Sequence, residues 1–264
     1  MVHMVLERLR ALLSTPPPAT RTTGLPTSAN GASSHHLFWT TEVDPENPIV
    51  AVEVDLEIVE APSIDRLYFW ALQATFRAGA AQMGGAHLGL QWHPDYPGST
   101  AANWGGYHGR DAALSGELTG SALALPSALH NPNTCNFAWT PAVPYRLRIA
   151  LAEPGRWTGS IGRVGDPSPV TLRTLHCDGD HLTDFVVWTE SFAECDAPPA
   201  VVRWANPTII SAAGGFVAPA GARTNYQTVA DGGCSTSDSV SSRGGLVQAT
   251  GTTRTTPQGA LLRF

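Results

Sequence analysis

From Val52 to Ile58 apolar and acidic residues alternate without a break. Val52, Val54, Leu56 and Ile58 fall on one side, and Glu53, Asp55 and Glu57 on the other. A period of two belongs to a β-strand with one buried face, so "IVAVEVDLEIVE" (Ile49 to Glu60) is expected to be a strand. The next run, "LYFWALQATF" (Leu67 to Phe76), is apolar on both faces, as a strand central in a sheet would be. "HLGLQW", "ANWGGY", "YRLRIAL", "RWTGSI", "VTLRTL", "DFVVWTE" and "VVRWANPTI" follow at short intervals, separated by "HPDYPGS", "EPG", "GDPSP", "CDGD" and "DAPP". These separators are turn chemistry, rich in Pro, Gly and Asp. The tail "GLVQATGTTRTTPQGALLRF" reads as a hairpin, and "STSDSVSS" (Ser235 to Ser242) as a polar loop. Many short strands with almost no helical periodicity predict an all-β antiparallel β-sandwich of jelly-roll type.

Composition narrows this further. A chain of 264 residues with 26 glycines and 21 prolines is within the size of one large β-domain, expected over residues 35–264. Residues 1–34 are expected to form a flexible arm. In that arm Val5 to Leu13 can make a short amphipathic helix, ahead of a Pro/Thr/Ser/Gly linker from Ser14 to Ser34. A net charge of −6 argues against a nucleic-acid partner, which needs a basic face. No apolar run reaches the ~20 residues of a membrane span. The start lacks the apolar stretch of a secretion signal. Four cysteines beside turn residues, Cys135, Cys177, Cys195 and Cys234, point the other way, to disulfides in an oxidising compartment and a secreted or cell-surface protein. None has zinc-ribbon spacing, and four cysteines allow three pairings.

Several motifs in order, "AHLGLQW", "AANWGG", "LSGELTGSALALPSA", "FAWTPAVPYRLRIAL", "GRWTGSI" and "WTESFAECDAPPAVVRWANPTI", resemble a bacterial family of uncharacterised concanavalin-A-like jelly-roll domains. The resemblance covers roughly Phe38 to Val247 and implies the fold, with no catalytic residues to carry over. It also implies that Cys195 pairs with Cys234, which would leave Cys135 and Cys177 as a second pair.

Three stretches carry candidate chemistry. "EVDLE" (Glu53, Asp55, Glu57) resembles the E-x-D-x-E strand of family 16 glycoside hydrolases, where the outer glutamates serve as nucleophile and acid/base around an assisting aspartate. Alternation puts all three carboxylates on one face, as a retaining mechanism requires. A strand with a solvated acidic face is the simpler reading and the preferred one. "HCDGDH" holds Asp178 and Asp180, whose oxygens would suit calcium; apart from that ion no cofactor is expected. The preferred reading is a tight hairpin turn, which would not exclude the ion. The third stretch, Gly84 to Asp111, is aromatic and polar. Trp92, His93, Asp95, Tyr96, Asn103 and Tyr107 offer ring faces for the C–H surface of a sugar, and polar groups for its hydroxyls. No nucleophile elbow or phosphate-binding glycine loop is present. A carbohydrate-binding module is therefore the leading expectation, with a retaining glycoside hydrolase second and a structural or adhesive surface module third.

Overall fold

A computed structural model describes residues 19–41, 46–126 and 129–264; the helix expected at Val5 to Leu13 lies outside them. The described residues form sixteen strands: β1 (Ser33–Thr40), β2 (Ile49–Glu60), β3 (Tyr68–Ala78), β4 (Ala81–Trp92), β5 (Thr100–His108), β6 (Thr134–Asn136), β7 (Pro144–Glu153), β8 (Arg156–Arg163), β9 (Val170–His176), β10 (His181–Ser191), β11 (Ala200–Ser211), β12 (Phe216–Val217), β13 (Gly221–Tyr226), β14 (Ser237–Ser242), β15 (Gly245–Thr250) and β16 (Leu261–Arg263). They make two antiparallel sheets packed as a sandwich. The first has the order β16-β13-β1-β10-β3-β4-β5-β6. The second has the order β14-β15-β11-β2-β7-β8-β9, with β12 beside β11. Among the described residues no helix is long and apolar enough to cross a membrane.

The alternation in β2 places its apolar set against the first sheet. Val52, Val54, Leu56 and Ile58 are fully buried there with the inward residues of β3, Trp70, Leu72 and Phe76. Four tryptophans, Trp70, Trp104, Trp157 and Trp204, are enclosed in the same layer. Truncating such a ring to alanine typically costs ~3–5 kcal/mol. Tight packing also fixes small residues: a Cβ on Gly159 would come within 2.6 Å of the Trp104 ring.

Four expectations need correction. "CDGD" is not a hairpin turn: β9 lies at the edge of the second sheet and β10 inside the first, so the turn carries the chain across the sandwich. On the way, Cys177 N–H donates to Gly155 O and Asp180 N–H to Arg77 O. The tail is not a hairpin either, since β15 pairs with β14 and β11 in one sheet while β16 pairs with β13 in the other. "STSDSVSS" contains a strand, β14, and its serines Ser237 and Ser239 are buried.

The fourth correction concerns cysteines. Cys195 and Cys234 form a disulfide with 5.4 Å between Cα atoms, but Cys135 and Cys177 are free and buried. Cys135 pairs with Ala102 across β6 and β5. The Cys177 sulfur packs near Gly84, whose strand neighbour is His108. Ala102 and His108 stand at opposite ends of β5, about 20 Å apart at ~3.4 Å per residue. A disulfide requires Cα atoms within about 7 Å, so the two thiols cannot join.

The described end of the N-terminal arm is tied to the sandwich. Arg21 N–H donates to Ser235 Oγ (3.0 Å), Cys195 N–H to Gly24 O (2.8 Å) and Thr27 N–H to Gly232 O (2.9 Å). These contacts lie beside the Cys195–Cys234 disulfide.

Candidate functional site

Antiparallel pairing in the first sheet brings one row of outward side chains together from separate parts of the chain. The row runs His36 (β1), Trp188 (β10), Ala71 (β3), Gly89 (β4) and Asn103 (β5). The adjacent row is Phe38, Val186, Gln73, His87 and Gly105. On the other side stand Ser34, Glu190, Phe69 and Gln91. This is the sheet face turned away from the shared core. Phe69, Ala71, Val186 and Trp188 nonetheless form an apolar cluster of their own there. The centre of the face is kept low by Ala71 and Gly89. A Cβ on Gly89 would meet the Trp70 carbonyl oxygen at 1.9 Å, so only glycine fits where the strands come this close.

Aromatic rings form a continuous chain across this face. Phe38 stacks on His36 (5.8 Å between centroids), and His36 lies 6.4 Å from Trp188. Trp188 meets Phe69 edge to face at 4.8 Å and His87 at 5.9 Å. His87 is 6.3 Å from Tyr107. The middle of the chain is covered, with Trp188 only 7% exposed, whereas both ends are open: Phe38 is 41% and Tyr107 56% exposed.

Polar groups hold the rings. Trp188 Nε1 donates to Gln73 Oε1 (3.1 Å). Asn103 Nδ2 donates to Thr134 Oγ1 (2.8 Å), which donates to Gln91 Oε1 (3.2 Å), and that oxygen also accepts from the Tyr96 hydroxyl (3.1 Å). Burial lowers the pKa of His87 to about 4, with Asn103 opposing the shift. Burial also lowers that of His36, against a hydrogen bond with the Asn225 backbone. Both imidazoles are therefore neutral near pH 7. Beyond them Glu190 accepts from Asn30 Nδ2 (2.9 Å), while burial raises its pKa. Such a face can stack against an apolar ring surface and exchange hydrogen bonds with uncharged groups.

The six residues expected to bind a ligand divide between two sides of the sheet. Asn103 and Tyr107 are on the outer face, and Tyr96 is buried above its end, on Gln91. Trp92 points the other way: it packs on the core 6.3 Å from Trp139 and donates Nε1 to Ile64 O (3.3 Å), as its parity opposite Gln91 dictates. His93 and Asp95 make a local turn contact, Asp95 N–H to His93 Nδ1 (3.1 Å). Sequence reading did not assign His36, Phe38, Phe69, Gln73, His87 or Trp188 to a ligand site.

The acidic strand has a different environment. On the outer face of the second sheet, β2 lies between β7 and β11, and both neighbours place arginines opposite its carboxylates. Arg146 grips Asp55 with Nε and Nη2 at 2.7 and 3.0 Å, and Asn206 Nδ2 adds a third bond at 2.8 Å. Arg148 pairs with Glu53, and Arg203 with Glu57. Each carboxylate of the stretch thus faces a guanidinium across the strands. Asp178 is exposed, and Asp180 Oδ1 lies 2.5 Å from His181 Nδ1. Among the described residues no three His, Cys, Asp or Glu side chains gather as a metal ion requires.

A scan against protein-family models finds no match, and a search of curated proteins finds none either. Solved structures similar in outline include a scytalido-glutamic peptidase bound to a peptide-based transition-state analogue. Its identity is 8% and its TM-score 0.42, over 86% of this chain and 99% of that one. SCP-B, a member of the eqolisin family of peptidases, in complex with the tripeptide Ala-Ile-His, has 8% identity and a TM-score of 0.43 over the same shares. Likeness at this level bears on neither activity nor site.

Proposed function

We propose that this β-sandwich is a carbohydrate-binding module that holds its ligand on the outer face of the first sheet. The observation that carries the reading is the chain of rings from Phe38 through His36, Trp188 and His87 to Tyr107, set among amides. Sugar rings present C–H faces that stack on aromatic rings, and hydroxyls that pair with amides and neutral imidazoles. The Cys195–Cys234 disulfide fits work in an oxidising compartment, where free glycans are met.

A glycan array read with and without calcium tests this. Tyr107→Ala removes an exposed ring without touching the core, so retention is expected to fall while thermal stability stays unchanged. A protein that retains no glycan under either condition would overturn the reading. Retention that requires calcium would bring Asp178 and Asp180 back into the site.

A further inference from the structure

We infer that the ligand of this face is an uncharged linear glycan several sugars long, lying across the strands from Phe38 to Tyr107. The inference rests on the carbohydrate reading above and adds the ligand's length, direction and charge.

Length follows from where the open rings stand. Phe38 belongs to β1 and Tyr107 to β5, with β10, β3 and β4 between them. Four strand spacings of ~4.8 Å separate the two rings by ~19 Å across the sheet. A single sugar cannot touch both. Direction follows from the same order, because each ring contact after the Phe38–His36 pair steps from one strand to another. Charge follows from the lining. Between the two open rings the outward residues are His36, Trp188, Val186, Gln73, His87 and Asn103, with Ala71 and Gly89 as the floor and the Asn133 side chain over Gly105. Formal charges stand at the margins. Arg223 stands opposite Phe38 on β13, Glu117 stands opposite Tyr107 at the other end, Glu190 lies one row away, and Arg77 pairs with Asp184 at 3.3 Å. An acidic polymer would find no cation between the two open rings, whereas a neutral glucan with equatorial hydroxyls can present an apolar face to the open rings Phe38 and Tyr107.

Titration of the protein with cello-oligosaccharides and laminari-oligosaccharides of one to six units tests the inference. Affinity is expected to rise with length until the oligomer covers the row, by about tenfold or more over the monosaccharide. Phe38→Ala and Tyr107→Ala should each abolish the gain from the longest oligomers and leave the shortest little changed, and Tyr107→Phe should restore it. Melting curves confirm that the variants fold. Equal affinity for the monomer and hexamer, or binding of an acidic polysaccharide alone, would overturn this inference and leave the carbohydrate reading in place. Binding of no glycan would overturn both, as would binding of an extended peptide in its place.

Discussion

Trp188 on β10 donates its indole N–H to the Gln73 amide oxygen on β3 at 3.1 Å, and this bond fixes a ring that touches three others. Gln73→Leu keeps the volume but leaves the indole N–H without its partner. The expected cost is ~1–2 kcal/mol in urea unfolding, the usual penalty for stranding a covered donor. Glycan retention should weaken as well, because the ring is no longer held. A variant as stable as the parent would show that the bond does not orient Trp188.

The ion pairs across β7, β2 and β11 make a second prediction. Asp55 is buried and held by three bonds, while its partner Arg146 is partly exposed to water. Asp55→Ala is therefore expected to cost ~1–3 kcal/mol, less than a fully buried pair would. Glu57→Gln should cost under ~1 kcal/mol, because Arg203 reaches solvent. Neither change should alter glycan retention. Loss of glycan hydrolysis by a Glu57→Gln protein of unchanged stability would instead make these carboxylates catalytic.

Acid should act through buried imidazoles. Burial holds His87 to about 4 and His35 to about 3, with the charges of His36 and Arg254 also lowering His35. In the unfolded chain both titrate near ~6.5. Between those values the unfolded state binds protons that the folded state refuses. Their stabilisation is complete above pH ~6.5 and is lost as pH falls towards 4 and then 3. Each contributes a slope of up to ~1.4 kcal/mol per pH unit in that window. Urea unfolding at a series of pH values should give a shallower dependence for His87→Gln than for the parent. Equal slopes would mean that His87 protonates freely in the folded protein.

The strands were readable where one face is polar. In β2 the alternation placed Val52, Val54, Leu56 and Ile58 in the core and Glu53, Asp55 and Glu57 on the opposite face. The ring chain was not readable, for a physical reason. Phe69 and Trp188 lie in strands that are apolar on both faces, and they are buried, so locally they read as core. Only pairing across β1, β10, β3 and β4 joins them to His36 and His87, and register between distant segments leaves no local trace. The arginines facing β2 were hidden in the same way. β14 escaped because serine gives no hydrophobic period; its burial comes from hydrogen bonds.

Three of those bonds support the last prediction. Asp238 on β14 accepts from Thr255 Oγ1 (2.5 Å) and from the backbone N–H groups of Thr255 and Thr256 (3.0 Å each). It thereby clamps the segment that carries the chain from β15 in one sheet to β16 in the other. Next to it Arg254 lies 3.9 Å over the Tyr226 ring and donates to Ser237 O and Cys234 O. Burial would raise the Asp238 pKa, but the hydrogen bonds from Thr255, Thr256 and Ser239 outweigh it and the net shift is downward. A carboxylate with a depressed folded pKa stabilises fully above its unfolded value of ~3.9, and loses that contribution as pH falls through the folded value. Asp238→Asn exchanges an ionised acceptor for a neutral amide and should destabilise by ~1–3 kcal/mol near pH 7. The gap to the parent should narrow below pH ~4, as the parent's carboxylate takes up its proton. Hydrogen exchange at Thr255, Thr256 and β16 should accelerate in the variant ahead of the core strands. Protection unchanged at these amides would show that the clamp does not hold the C-terminal strand.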